Sequence, residues 1–401
     1  MKVALIHPAS PFLVDQGVHP PLGLWYLGAA LKEAGHEVTY VDRGLDDTLP
    51  TDADLWGLTG TTAQLEDMAA VLKDATAPVI AGGPHATLDP DGILALGATA
   101  VVCGEGERLF PALLADGLPE PGTIAHAARI TDLDALPLPD RSQAGRYHYA
   151  ITDRQGVARR ATTAITSRGC PHRCAFCSHG LWQRRYTARG AASVIAEARA
   201  IRDMGFEAVH FYDDSLAIDR RRLFAICEGL RHLGIVWRAF VRADQMTSGR
   251  LAAMARSGCV EVGMGVESGS NAVLAAIHKD ETAEQMAQTI GWAHRVGIRV
   301  KAFLIVGLPG ESWATIDETA AFLAQTRPDD LDVTVLQLMP GSPLHEAPAA
   351  YGLTPMGAAT WYKGRRGEYE AHHRTAAMTP GELLAARDYL EARFKPQAVA
   401  A

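Results

Sequence analysis

Short apolar and β-branched runs alternate with helix-patterned stretches along most of this chain, and the polar and glycine residues gather where the runs end. In the N-terminal part the runs are Lys2–Ile6, Val38–Val41, Leu55–Leu58, Pro78–Ala81 and Ala100–Cys103. Between them lie a helical stretch over Leu24–Ala34 that stops at Gly35, another through Leu65, Met68 and Leu72, and a third after Glu107. Continuous apolar strands joined by helices predict a parallel, doubly wound, Rossmann-like α/β sheet. Such a sheet binds its ligand beyond the carboxyl ends of its strands. That places candidate ligand contacts at Ser10 and Pro11, at Thr59, Gly60, Thr61 and Thr62, at Gly82, Gly83 and His85, and at Gly104 and Glu105. No Gly-x-Gly-x-x-Gly opens a helix after the first strand, so a dinucleotide is disfavoured.

The same alternation resumes at residue 162. Strands are expected at Thr162–Thr166, Ala208–Tyr212, Val236–Val241, Val260–Val266, Val300–Val306 and Val333–Leu338, with helices between them, one running on through Trp292. Six βα units are too few to close an eight-stranded barrel, so a partial barrel is predicted. Residues 121–160 are Pro-rich and read as an extended linker. The domain reading is therefore 1–120, linker 121–160, barrel 161–345, and a small, mostly helical extension over 346–401 with a helix near Leu383–Phe394.

Three of the six cysteines form a Cys-x3-Cys-x2-Cys run, Cys170-Pro-His-Arg-Cys174-Ala-Phe-Cys177, just after the first barrel strand. Three thiolates on one loop can ligate three irons of a 4Fe–4S cube and leave the fourth iron without a protein ligand. A structural zinc site using His172 as fourth ligand is the alternative for the same residues. Disulfides are disfavoured, because few cysteines and no secretory leader fit a reduced, cytoplasmic setting. Cys103, Cys227 and Cys259 lack the spacing for a second cluster and read as core thiols. A net charge of −8 argues against nucleic acid as main partner, and no apolar run approaches the roughly 18 residues that span a bilayer.

The cysteine spacing, with Phe176 before the third cysteine, resembles the radical SAM superfamily. Pro-Pro-Leu-Gly before the first helix, Gly-Gly-Pro-His after a late strand, Leu-Pro-x-Pro-Asp-Arg in the linker, and the turns Gly-Val-Glu-Ser-Gly-Ser (265–270) and Gly-Leu-Pro-Gly-Glu (307–311) resemble its cobalamin-binding branch. The resemblance covers roughly residues 1–345. It implies three cofactors: a 4Fe–4S cluster on Cys170, Cys174 and Cys177, S-adenosylmethionine (SAM) on the open iron, and cobalamin in the N-terminal domain. It implies SAM contacts from Phe176, Tyr212, Asp214, Arg242, Glu267, Ser268, Gly307 and Gly310, although the Gly-Gly-Glu frequent after the second strand in relatives is absent here. The activity implied is methyl transfer to an unactivated carbon of a small molecule. One SAM would methylate the cobalamin, and a second would yield the 5′-deoxyadenosyl radical with an electron from an external flavodoxin- or ferredoxin-type donor. A radical cyclisation or rearrangement is the alternative, and a zinc-stabilised cobalamin or nucleotide sensor is the non-enzymatic one.

The family's Asp-x-His-x-x-Gly motif, which supplies a histidine below the cobalt, is missing: Gly17 stands two residues after Asp15. Cobalamin is thus expected base-off with no histidine ligand. Substrate specificity is expected from the linker, from Trp182, Gln183, Arg184 and Arg185, and from the tail with Trp361, Tyr362, Lys363, Arg365 and Arg366.

Overall fold

A computed structural model describes residues 1–178, 182, 184–357 and 368–396. Gln183 and the basic-aromatic stretch Trp361–Arg366, expected to shape specificity, lie outside the described residues. The chain divides into two compact units, residues 1–149 (with Trp182) and the described residues from 150 to 178 and from 184 onward.

The first unit is built on β1 (Lys2–His7), α1 (Leu22–Glu33), β2 (Glu37–Asp42), β3 (Leu55–Thr59), α2 (Leu65–Lys73), β4 (Val79–Gly82), the short α3 (Gly83–Leu88) and α4 (Pro90–Ala95), β5 (Ala100–Cys103), α5 (Gly106–Ala115) and β6 (Thr123–His126). All strand pairs are parallel, in the order β2-β1-β3-β4-β5-β6. Successive residues of β1 serve opposite faces: Val3 and Leu5 join Leu24, Leu31 and Phe110 in one core, Ala4 and Ile6 join Trp56, Leu58 and Met68 in the other. Both faces of the central strands β1, β3, β4 and β5 are buried, which is why those strands read as apolar runs. Burying a single such Leu or Ile contributes about 2 kcal/mol. The sixth strand was not anticipated, because Thr-Ile-Ala-His is half-exposed and short, nor were the helical turns after Gly83, which polar residues and prolines disguise.

The second unit opens with a hairpin of β7 (Ala150–Thr152) and β8 (Ala158–Ala164), followed by a two-stranded ribbon of β9 (Ser167–Arg168) and β10 (Thr187–Ala188) that flanks the cysteine loop. Then come α6 (Ala191–Asp203), β11 (Ala208–Phe211), α7 (Arg220–Arg231), β12 (Val236–Val241), α8 (Ser248–Arg256), β13 (Cys259–Glu267), α9 (Asn271–Ala276), α10 (Ala283–Arg295), β14 (Arg299–Val306), α11 (Trp313–Thr326) and β15 (Asp330–Val335). The sheet runs β15-β14-β13-β12-β11-β8-β7, with β8 and β11–β15 parallel. Those six strands form the partial barrel that the sequence implies. A short α12 (Pro343–Glu346), a ribbon of β16 (Thr354–Pro355) and β17 (His373–Arg374), and α13 (Pro380–Phe394) complete it, α13 packing on β14, β15 and α11.

Three sequence readings are corrected. The first barrel strand ends at Ala164, because Thr166 and Ser167 turn to a buried carboxylate. The helix expected through Trp292 is two helices, broken where His278 (φ 53°) and Asp280 (φ 56°) adopt left-handed backbone. Residues 121–160 are no free extended segment: they hold β6, a single helical turn at Ala144–Arg146, and the β7–β8 hairpin.

Candidate functional site

In the second unit the cysteine loop leaves β9 at the carboxyl ends of the barrel strands, the face on which βα barrels carry chemistry. Backbone bonds fix it. Gly169 N–H donates to Asp214 Oδ2 at 2.8 Å, Ala175 N–H to the Ile277 carbonyl at 2.8 Å, and Leu344 N–H to the Ala175 carbonyl at 3.1 Å. Ser178 Oγ closes the loop on the Pro340 carbonyl at 2.6 Å. None of the three cysteines is in a disulfide; Cys174 is buried, Cys170 half-buried and Cys177 exposed. Burial pushes the Cys174 and Cys170 thiols above their ordinary value, so without a metal they stay protonated.

The donor set fits an iron–sulfur cube. Arg242 Nη1 lies 3.7 Å from Cys174 Sγ, a donor that an anionic sulfur would accept from. In a cube each of three thiolates has its own iron, so three cysteines on one loop suffice without a fourth protein ligand. His172 points elsewhere, its Nε2 3.2 Å from Gln245 Nε2.

Around the loop the strand ends deliver a balanced charge network. Glu267 closes β13 at φ 61°, where a register shift against β14 marks a bulge. Its Oε1 meets Lys279 Nζ at 2.9 Å, and Lys279 lies 3.5 Å from Glu281 Oε2. Arg242 Nη2 lies 3.0 Å from the same Glu281 oxygen and donates to the Lys279 carbonyl at 2.7 Å. Gly265 makes room for this: a Cβ there would sit 2.3 Å from Glu267 Oε1 and 3.0 Å from Lys279 Nζ. Lys279 keeps its charge despite burial, since the two glutamates outweigh desolvation and its pKa rises.

Tyr212, Asp214, Arg242 and Glu267 are thus brought to neighbouring strand ends, with the Tyr212 ring tilted 35° against His210 at 4.2 Å between centroids. Phe176 is half-buried in the loop. Ser268 is turned away: its Oγ lies 3.2 Å from Thr319 Oγ1 and accepts from Ser270 N–H. Gly307 (φ 95°) and Gly310 (φ 78°) both need left-handed backbone, and a Cβ on Gly310 would meet open space. Lys279 and Glu281 escaped the sequence reading, because His-Lys-Asp-Glu resembles a solvated charge run.

In the first unit the strand order reverses between β1 and β3, the switch point where such sheets bind ligands. Ser10 is buried and its backbone is held by Gln16. Pro11 follows in the same loop. After β3, Thr61 starts a helical turn with Gln64, whose amide donates to the Pro8 carbonyl at 2.6 Å. His85 joins the loops after β3 and β4: its backbone N–H donates to the Gly60 carbonyl at 3.0 Å, and its Nδ1 sits 3.1 Å from Thr62 Oγ1. The ring is buried and held neutral by desolvation, with Nε2 unpartnered. Gly82 and Gly83 let this turn pass close to Thr59; a Cβ on Gly83 (φ 84°) would fall 2.1 Å from Thr59 Oγ1. Gly104 (φ 91°) receives its own brace from Thr87 Oγ1. Glu105 is drawn inward, accepting from Ile130 N–H at 2.7 Å.

The sequence profile of the Radical SAM superfamily matches residues 164–323, and that of the B12 binding domain matches residues 12–114. The chain belongs to the cobalamin-binding radical SAM enzymes. Its cofactors are accordingly a 4Fe–4S cluster, SAM and cobalamin. It is 28% identical over 392 residues to an uncharacterized methyltransferase, PH0819, of Pyrococcus horikoshii, with 88% of this chain and 84% of that protein covered. It is 27% identical over 361 residues to the bacteriochlorophyllide d C-12(1)-methyltransferase of Chlorobaculum tepidum, covering 86% and 78%. The radical SAM methyltransferase TsrM from Kitasatospora setae, solved with tryptophan substrate and a SAM analogue bound, superposes with a TM-score of 0.75 at 17% identity, over 98% of this chain and 89% of that one. At that identity the likeness speaks for the fold. No described helix is long and apolar enough to cross a membrane.

Proposed function

We propose that this enzyme methylates an unactivated carbon of a small-molecule substrate, with Cys170, Cys174 and Cys177 holding the cluster. The observation that carries the reading is one chain bearing both a three-thiol loop at a partial-barrel mouth and a B12-binding sheet. When bound, the cluster supplies an electron to SAM and the cobalamin carries the methyl group. The protein's own part is to place and to shield. Asp214 holds the cysteine loop through Gly169, Glu267 and Tyr212 present polar atoms where the ribose and amine of SAM would lie, and Arg242 neutralises charge beside Cys174. Phe176 and the turn from Gly307 to Gly310 would line the nucleoside side. In the first unit, Thr59, Gly60, Thr61, Thr62, Gly82, Gly83 and His85 would border the corrin and its tail.

The cobalamin is held base-off without a histidine beneath the cobalt in this reading. Among the described residues His7 Nδ1 has no hydrogen-bond partner, and no carboxylate is hydrogen-bonded to its ring to orient it. The Asp15 carboxylate is taken by Gly17 N–H and by His148 Nε2 at 2.6 Å, which makes His148 the ring that an electron paramagnetic resonance test must include. A nitrogen triplet on the cobalt lines that disappears in His148→Ala, His7→Ala or His19→Ala would overturn this part. The electron comes from a flavodoxin- or ferredoxin-type protein in the cytoplasm.

The deciding experiment is anaerobic reconstitution with SAM and candidate substrates. Methylated product with both S-adenosylhomocysteine and 5′-deoxyadenosine supports methyl transfer. Deoxyadenosine with a product that has gained no methyl group would replace it with cyclisation or rearrangement.

A further inference from the structure

The C-terminal segment after residue 367 reaches back to the turn that follows β14. His373 of β17 is buried, and its Nε2 lies 2.8 Å from the Gly307 carbonyl oxygen. A carbonyl only accepts, so this nitrogen carries the proton and donates. Desolvation keeps the ring neutral, which fixes it as the Nε2–H form. On the other side of the same residue, Gly307 N–H donates to the Glu311 carboxylate. Thr375, two residues after His373, donates through Oγ1 to the Glu311 carbonyl at 3.1 Å. The turn is held at three points, two of them from this segment. A side chain at Gly307 would put Cβ 2.6 Å from His373 Nε2, so the ring occupies the space a Cβ would fill.

The segment has further anchors. Met356 N–H donates to the His372 carbonyl at 2.7 Å, β16 pairs with β17, and α13 starts from a capping box at Thr379 and Glu382 and buries Leu383, Ala386 and Leu390. The backbone of Gly307 therefore depends on a ring brought from 66 residues away.

We propose that His373 is a positioning residue for SAM, setting the Gly307–Gly310 turn that receives the nucleoside. This rests on the SAM-binding reading of that turn. His373 touches neither substrate nor cofactor; it acts through the Gly307 peptide.

The test measures SAM affinity of full-length, cluster-reconstituted protein, together with deoxyadenosine formation at saturating SAM. His373→Phe keeps a ring in the pocket and removes the donor; His373→Gln returns an amide N–H at about the reach of Nε2. Leaving one buried carbonyl without its partner is expected to weaken SAM binding about tenfold in His373→Phe, with wild-type affinity largely restored in His373→Gln. Deoxyadenosine formation at saturating SAM should change less than the affinity. Iron content and cobalamin absorbance should match wild type in both. Unchanged affinity in His373→Phe, or equal loss in both variants, overturns the proposal. Failure of the wild-type protein to bind SAM would instead overturn the reading of the turn.

Discussion

Glu311 offers a stability measurement whose sign is fixed by its surroundings. Its carboxylate is buried at 2% exposure, and desolvation outweighs the Gly307 and Leu308 N–H groups that favour the anion, so its pKa is pushed up to about 8 from 4.5. In the folded chain it is mostly protonated at pH 7, while in the unfolded chain it is ionised. The folded state thus binds the extra proton, and stability falls as pH rises between 4.5 and about 8. At 1.36 kcal/mol per pKa unit, the full window is worth about 5 kcal/mol at most, and partial relaxation or water entry would reduce it. Below pH 4.5 the contribution is fully present; above about 8 it is lost. Glu311→Gln keeps an oxygen for Gly307 N–H and removes the ionisation. Its stability should be flatter than wild type from pH 5 to 9, and at pH 9 the variant should be the more stable. Urea titrations read by hydrogen exchange of β14 peptides measure the second unit directly. Other titrating groups contribute equally to both proteins, so the difference isolates residue 311. Parallel pH profiles would refute the reasoning.

Changing Cys170, Cys174 and Cys177 to Ala together should abolish about four irons per chain and all deoxyadenosine formation, measured by iron analysis and chromatography; continued cleavage would contradict the cluster assignment. Lys279→Met should destabilise the second unit by about 3–5 kcal/mol in denaturant titration, since Glu267 loses its ion-pair partner, and adding Glu267→Gln should recover much of it. Additive losses would mean the pair is uncoupled. Gly83→Ala should weaken hydroxocobalamin binding by at least tenfold in an absorbance titration, because its Cβ collides with Thr59 Oγ1 at a left-handed position; unchanged binding would place the cofactor elsewhere.

What was legible in the sequence was whatever has a local period or a local spacing. The central strands of the N-terminal sheet declared themselves because they bury both faces, barrel strands such as β12, β14 and β15 because their buried positions alternate at strand spacing, and the cysteine loop because its spacing is itself the chemistry. What stayed hidden depends on contacts far apart in the chain. Asp213 looks like one more acidic residue after a strand, yet it is fully buried and takes Thr166 N–H at 2.7 Å and Ser167 Oγ at 2.6 Å, which ends β8 early. Lys279 sits among charges and reads as solvent-facing, while the fold drives it inside between two glutamates. Ser268 matched a ligand-binding turn by sequence, but its hydroxyl is spent on α11. His373 stood out only as the neighbour of His372, and adjacent positions that face different sides gave no reason to expect a shared metal.

The two units differ in how their binding ends manage charge, and the difference suits their cofactors. The loops of the first unit present threonine hydroxyls, glycine backbone and a neutral His85, and the nearby Glu105 is drawn inward to Ile130. A corrin rimmed with neutral amide side chains asks for hydrogen-bond partners and close backbone approach, and charged neighbours there would have to be desolvated without compensation. The barrel mouth does the opposite. Arg242 and Lys279 stand against Glu267, Glu281 and Asp244, and Arg242 Nη1 lies 3.7 Å from Cys174 Sγ. Each of these buried charges has a partner of opposite sign. Among the candidate contacts of the first unit Glu105 is the charged one, 3.9 Å from Arg129 Nε, whereas beside the cysteine loop two cations and two buried glutamates interlock; the Radical SAM profile covers that barrel and the B12 binding profile the sheet.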